Sequence, residues 1–477
     1  WIEARIAGLL HDWIHREANP LLAEALNINF EAENSIHAES YTTIVDTVES
    51  GSIPNTFFVQ GPAGTGKIFL YTTLCSYFRA KGELVLCVAS SGIASLLLPN
   101  GRTSHSTFRI PLDCDESSRC HIPKQSNLAK LLRRTFLIIW DEVTMQPRHH
   151  FDAVDRVLQD IRDNKNLYGG IPVVLGVDFA QILPVVKEEA SMKLLILAFN
   201  AGIIGESNSR FASGLGDLSY NQNLYGVTEI PEWIKTTDDR AFFREFIFLI
   251  HLLQAADSSI FRDRAILTSR NDNVDFFNVE IAQLITVASH DYFSADQIQS
   301  YESGHISDYP PEYLQTLSGQ GLPLGKLTLQ IGMPIMLLRN HFAKLCLCNG
   351  TRLIITRLYN HCIKNRIISQ DFDGKEHVIS RITVTTKEDP PFTLIRKQLS
   401  IQTCYSMTIN KSRDQTLKRV GVNLTNSVFS HGQFHVALSR VNEIKNMLVL
   451  LPRGTKSTNN VVYQEVLLRP QSSNTLG

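Results

Sequence analysis

The first half of the chain alternates short, wholly apolar runs with stretches whose apolar residues recur at helical spacing. Ile2, Ile6, Leu9, Leu10 and Ile14, and again Tyr41, Ile44, Val45 and Val48, share one face of a 3.6-residue period and predict helices within residues 1–50. Phe57-Phe-Val59 runs as an apolar strand into a glycine-rich turn, and Ile68, Leu70, Leu74 and Tyr77 open a helix that reaches Lys81-Gly82. A strand over 84–88, a serine-rich turn at 89–92 and another helix follow. Phe136-Leu-Ile-Ile-Trp140 is apolar throughout, as a central parallel strand buried on both faces must be, and ends in Asp141-Glu142. Residues 172–176 repeat the pattern and end in Asp178-Phe-Ala-Gln181. Strand, turn and helix in succession predict an open parallel sheet with helices on both faces. Both strand ends deliver polar side chains where such sheets bind ligands.

Beyond residue 190 the signal changes. Residues 111–127, polar and holding Pro111 and Pro123, already read as an inserted loop. From 190 to 260 periodicity weakens, and it returns at Arg264-Ala-Ile-Leu-Thr268. Residues 326–402 alternate apolar and polar positions, as in Arg352-Leu-Ile-Ile-Thr356, which predicts a small β barrel. Residues 403–452 return to strand and helix, and those after 454 read as frayed.

With 477 residues there is room for two to four domains, and 43% apolar and 19% charged residues are ordinary for globular chains. The net charge of -1 argues against a global basic field. Residues 1–50 carry two Lys/Arg against nine Asp/Glu, whereas 351–420 carry thirteen against six, a balance of +7. Eight scattered cysteines predict reduced thiols in an intracellular protein. Cys114, Cys120 and His121 lack the Cys-x-x-Cys spacing and a second ligand pair, which argues against zinc. The longest apolar runs, such as 194–199, are far short of the roughly 20 residues of a membrane span, so a soluble protein is expected. The first residue is Trp1 rather than methionine, as in a fragment of a longer chain.

The loop Gly61-Pro-Ala-Gly-Thr-Gly-Lys67, between strand and helix, has the layout of a phosphate-binding P-loop, in which backbone N–H groups and the lysine meet an anion. Asp141-Glu142 supplies the carboxylates that nucleotide hydrolases place at a neighbouring strand end. Alone, the first is matched by a chance glycine turn and the second by a helix N-cap. Together they favour a nucleotide site. One residue departs from the pattern: Ile68 stands where a Ser or Thr hydroxyl would bind magnesium.

In order, Gly61 to Lys67, Ala89-Ser-Ser-Gly-Ile-Ala94, Trp140-Asp-Glu-Val143, Asp178-Phe-Ala-Gln-Ile-Leu-Pro184, Met407-Thr-Ile-Asn-Lys-Ser412 and Val436-Ala-Leu-Ser-Arg440 resemble the motifs of superfamily 1B DNA helicases of the Pif type. The likeness covers roughly residues 25–452. Leu337-Leu-Arg-Asn340, Leu347-Cys-Asn-Gly-Thr-Arg352 and Val428-Phe-Ser-His-Gly-Gln433 look closest to helitron-transposon helicase regions. The resemblance implies an α/β chain with two RecD-like P-loop domains and an SH3-like β insertion. Domain 1A would span 51–200 after an N-terminal helical segment at 1–50, with a wedge near 111–127. An irregular connector at 201–260 would lead to domain 2A at 261–335 and 403–455, interrupted by domain 2B at 336–402, with a flexible tail at 456–477.

The resemblance further implies ATP-driven 5′ to 3′ travel on single-stranded DNA, with duplex unwinding in recombination, repair or transposition. ATP and Mg2+ are the implied cofactors, with DNA strands and duplex junctions as partners, a monomeric state, no membrane and a nuclear location. Gly61, Pro62, Ala63, Gly64, Thr65, Gly66, Lys67 and Ile68 would bind ATP. Lys67 would hold the β and γ phosphates, Asp141 magnesium, Glu142 the attacking water and Gln181 the γ phosphate, with Arg440 as arginine finger. Ser91, His105, Ser106, Phe108, Asn349, Thr408, Lys411 and Ser412 would contact DNA, through hydroxyls and amides that grip phosphates and an aromatic face that stacks, although Phe108 taken alone favours a core position. The +7 segment suits such local phosphate neutralisation.

Other departures accompany Ile68. No glutamine occurs between Asn27 and Ile44, where the family reads adenine, and His37 stands nearest that place. Ala180 and Gly202 replace arginines, and Asp414 follows Arg413 where Gln-Gly is expected. These losses raise a second reading, an eroded, transposon-derived remnant that binds nucleotide and DNA with little hydrolysis. An unrelated P-loop kinase would not carry motifs through residue 440.

Overall fold

The computed structural model describes residues 33–52, 55–61, 66–111, 113–178, 181–182, 226–249, 258–285, 287–300, 309–317, 319, 321–342, 345–368, 374–386, 392–413, 415–441 and 443–462. It divides into two compact units, Trp1–Leu224 with Ser430–His435 and Val461–Gly477, and Tyr225–Phe429 with Val436–Asn460. Among the described residues no helix is long and apolar enough to cross a membrane.

In the first unit, α1 (Glu33–Ser50) precedes β1 (Thr56–Gln60), α2 (Lys67–Ala80), β2 (Leu84–Ala89), α3 (Gly92–Leu97), β3 (Arg102–Thr103) and α4 (Ser104–Phe108). Then come α5 (Asn127–Arg134), β4 (Thr135–Asp141), α6 (Arg148–Arg162) and β5 (Val173–Val177). The five strands pair in parallel in the order β1-β5-β4-β2-β3, as the apolar runs predict. Alternate residues of β4 feed two cores. Leu137 and Ile139 join Ile44 of α1 and Leu70, Leu74 and Phe78 of α2 on one face. Ile138 and Trp140 join Phe151, Val154 and Leu158 of α6 on the other. Burying each such side chain stabilises the fold by about 1.5–3 kcal/mol, so the apolar run of β4 is a two-faced core element.

The segment 111–127 is irregular, as expected, yet it is fastened down. Cys120 and Ile122 are buried in the α6 core, and Arg156 donates from Nη2 to the Ser118 carbonyl at 2.6 Å.

The second unit holds a parallel sheet in the order Ser406–Thr408, Arg264–Thr268, Arg419–Asn423, Met447–Leu450, Thr236–Thr237. Its outer strand lies inside the predicted connector, and so does the helix Arg240–Ile247, which buries Phe243 and Ile247 completely. Gly226–Glu229 pairs antiparallel with Ser457–Asn460. Residues 226–249 are therefore part of the domain, and 457–460 are strand rather than tail. Edge strands this short, whose partners lie more than 200 residues away, leave no periodic signal in the sequence. Residues 201–225, 250–257 and 463–477 lie outside the described residues.

The β-rich part is antiparallel, in the order Glu376–Ser380, Cys362–Ile367, Arg352–Leu358, Pro334–Leu337, Ile401–Thr403. It starts earlier than its sequence pattern. Ala295–Ser300 pairs with Phe392–Gln398, and Ser289–Phe293 with Lys326–Gln330, so strands assigned to domain 2A join the β region.

That pairing centres on Arg396. Its guanidinium, fully buried, donates from Nε and Nη2 to Asp296 at 2.9–3.2 Å, and from Nη1 to the carbonyls of Leu317 and Pro323. Nη2 also reaches the Leu314 carbonyl at 2.5 Å. Because one cation satisfies a carboxylate and three carbonyls, apolar replacement of the pair leaves those carbonyls orphaned. Asp296→Ala strands the buried charge and is expected to destabilise this unit by about 3–5 kcal/mol in urea unfolding, and the double variant Arg396→Met/Asp296→Leu to recover little of it.

Candidate nucleotide site and strand-binding residues

At the end of β1, the Gly61 N–H donates to the Val177 carbonyl at 3.2 Å, tying the loop to β5. Gly66 caps α2 with φ 86°, a left-handed backbone that glycine adopts without a Cβ penalty. Lys67, 9% exposed, donates from Nζ to the Gly61 carbonyl across the loop. Pro62, Ala63, Gly64 and Thr65 lie outside the described residues. The loop's two ends are thus brought together at the N-terminus of a 14-residue helix, where unpaired N–H groups and the helix dipole favour an anion. Ile68 is half-buried and packs against the α1–α2 core.

Two strands away, β4 ends in Asp141, 3% exposed, and Glu142, 7% exposed. Glu142 takes φ 56° and ψ 37°, the left-handed region, which costs a non-glycine residue about 1–2 kcal/mol. Its carbonyl accepts from Met145 N–H at 3.1 Å as a short helical turn begins. Tyr71 of α2, fully buried, donates from Oη to Asp141 Oδ1 at 3.3 Å. Burial, and then the Asp141 charge, push its phenol well above the ordinary tyrosine range, so it stays a donor. After β5, Gln181 donates from Nε2 to Asp178 Oδ2 at 2.6 Å, and its Oε1 is buried with no partner among the described residues. Lys67, Asp141, Glu142 and Gln181 therefore stand at the C-terminal edge of one sheet. Their chemistry fits a nucleotide with a hard cation: a cation for phosphates, and carboxylate oxygens for Mg2+. One ligand of the usual set, the hydroxyl after the lysine, is missing.

Other expected contacts divide by burial. Ser91 accepts from the Ala94 N–H at 3.0 Å as N-cap of α3. Ser106 is exposed and donates to the Thr103 carbonyl at 2.9 Å. His105 lies 3.2 Å from Gln146 Nε2, which also reaches Ser104 Oγ at 2.6 Å. Phe108 is a core residue, the reading favoured for it over a stacking platform, and its place among the DNA contacts is corrected. It is wholly buried, 5.3 Å from the Trp140 ring, because β4 needs an aromatic neighbour on that face. In the second unit Asn349 is exposed, and its N–H donates to Asn340 Oδ1 at 2.8 Å. Thr408 accepts from the Lys411 N–H at 3.4 Å, and Lys411 Nζ donates to Gln402 Oε1 at 3.0 Å in a cleft they share with Asn271 and Met336. Burial lowers the Lys411 ammonium pKa. Ser412 is fully buried, donating to the Ile409 carbonyl at 2.7 Å, which corrects its assignment to a DNA contact through the hydroxyl. Arg440, 3% exposed, donates to the carbonyls of Val436 and Gln415 and to Ser439 Oγ. Ala180, Gly202 and Asp414 lie outside the described residues.

Fold and site together define a P-loop protein of the helicase type. Residues 34–203 match the model for PIF1-like helicase, and 312–358 the model for the 2B domain of DNA helicase Pif1. Over these two stretches the chain is similar to Pif1-like helicases. It is 24% identical over 449 residues to the ATP-dependent DNA helicase PIF1 of Xenopus laevis, covering 90% of this chain and 63% of that protein. Thus the chain spans a little under two thirds of such curated relatives. The Pif1 of Bdellovibrio bacteriovorus is 26% identical over 84% of this chain and 85% of its own. Among solved structures, Candida albicans Pif1 superposes with TM-score 0.59 at 22% identity, covering 90% of this chain and 96% of that one. Bacteroides Pif1 bound to ssDNA gives 0.54 at 20%, covering 91% and 94%.

Sequence reasoning missed Tyr71, Gly176 and Gln146. A glycine inside an apolar strand was the legible signal, since it often marks a close approach.

His150 of α6 packs its ring edge-on to His105 at 4.8 Å. Burial, then His105 and His149, lower its pKa to about 4. The folded state thus binds its proton below the unfolded value near 6.5, and stability present above pH 6.5 is lost as pH falls towards 4. The parent should lose on the order of 3 kcal/mol more than His150→Gln between pH 7 and pH 4, read as the difference in urea midpoints.

Proposed function

We propose that this chain is the motor part of an ATP-dependent DNA helicase that moves 5′ to 3′ on single-stranded DNA and unwinds duplex, acting as a monomer in recombination, repair or transposition in the nucleus. The observation that carries the reading is the convergence of Lys67, Asp141, Glu142 and Gln181 on one sheet edge, in a chain matched along 84–90% of its length by helicases. Support for DNA as partner comes from relatives named for it, including Bacteroides Pif1 bound to ssDNA and Pif1 helicases at forked dsDNA.

Lys67 positions the β and γ phosphates over the α2 N-terminus. Asp141 would hold Mg2+, directly or through water, and an ion bound there would neutralise phosphate charge. Glu142 orients the attacking water, its backbone already turned by the left-handed bend. Gln181 would meet the γ phosphate with its amide, and Arg440 is proposed as an arginine finger, a role worth roughly 10³–10⁵ in rate. Exposed Ser106 and Asn349 and half-buried His105, Thr408 and Lys411 are the proposed strand contacts. Lys411 gives up Gln402 to meet a phosphate.

The apolar packing of Ile68 favours a second reading, the eroded remnant. Single-turnover ATP hydrolysis with saturating Mg2+ and single-stranded DNA separates the two. An active motor predicts a parent rate within about threefold of Ile68→Thr, with Lys67→Ala lowering it by about 10³ or more. Turnover confined to the Ile68→Thr protein establishes the remnant. A 5′-tailed duplex should be unwound, and a 3′-tailed one left intact.

A further inference from the structure

Tyr71 follows Lys67 by four residues on α2 and is completely buried. Its Oη lies 3.3 Å from Asp141 Oδ1, although β5 stands between β1 and β4 in the sheet. The phenol crosses β5 at Gly176. A Cβ there would stand 2.1 Å from Asp141 Oδ1 and 2.2 Å from Tyr71 Oη, so no other residue fits without displacing one of them. Three residues from three elements therefore meet at one point, and the missing side chain of Gly176 is an observation independent of the hydrogen bond. Core filling alone does not explain it. A phenylalanine would bury the same ring without a polar atom that must find a partner. One turn earlier on the same helix, Ile68 packs carbon against the α1–α2 core where the P-loop pattern has a hydroxyl.

We propose that Tyr71 is a positioning residue for Asp141: its hydroxyl, admitted by Gly176, holds the carboxylate for a divalent cation in place of the hydroxyl lost at Ile68. The proposal rests on the nucleotide-binding reading above. A hydrogen bond from a buried, immobile donor fixes one carboxylate oxygen and so sets the direction of the other. Partners of this outer kind are worth about 10–100-fold in metal affinity. The hydroxyl has in effect moved one turn along α2, from position 68 to position 71.

The test is fluorescence titration of the full chain with N-methylanthraniloyl-ADP, with rising Mg2+ and again in EDTA. Tyr71→Phe, which removes one oxygen and keeps the ring, should raise the half-saturating Mg2+ about tenfold and leave binding in EDTA unchanged. Adding Ile68→Thr to Tyr71→Phe should restore most of the loss, which a merely structural tyrosine would not show. A Tyr71→Phe curve that overlays the parent, or shifts to lower Mg2+, overturns the proposal while leaving the nucleotide site intact. A parent that binds no nucleotide under either condition overturns both.

Discussion

A strand buried on both faces tolerates charge only at its ends, and β4 carries its two carboxylates there. The rest of the first unit follows from that constraint. Apolar residues of β4 supply both cores, α2 brings Lys67 to the same edge, and β5 gives up a side chain at Gly176 so that Tyr71 and Asp141 can meet. The left-handed turn at Glu142 places a second acid beside the first. Stability and chemistry are coupled, because the residues that position the site are also core residues.

In the second unit charge is handled differently. Arg396 is buried outright, and its five hydrogen-bonding directions are spent on Asp296 and on three carbonyls between Leu314 and Pro323. This joins strands that are about a hundred residues apart in sequence and explains why the β region recruits residues 289–300. Half-buried Lys411 keeps one side-chain hydrogen-bond partner among the described residues, Gln402, as suits a cation whose proposed partner is a mobile phosphate chain.

Much of this was legible beforehand. The strands of the first unit stand out as short runs of Val, Ile, Leu and Phe, and helix α2 begins at the lysine where the P-loop pattern puts it. Lys67, Asp141, Glu142 and Gln181 are legible as candidates because each follows such a run. Ser412 is buried against expectation, and Phe108 takes the core position favoured for it, because a motif names positions near DNA but does not say whether a side chain points outward or into the core. The connector and tail boundaries failed because edge strands of two to four residues are defined by distant partners.

The sequence by itself determined the order of elements in the first unit, the parallel sheet and the candidate residues of the site, because apolar periodicity and strand-end carboxylates are local properties of the chain. It also exposed the loss at Ile68. Only the tertiary structure decided what answers that loss. Tyr71 and Asp141 are seventy residues apart, and their contact depends on a third residue, Gly176, whose contribution is the absence of a side chain. Contacts of that kind arise from the packing of helix against sheet and leave no spacing in the chain from which to read them.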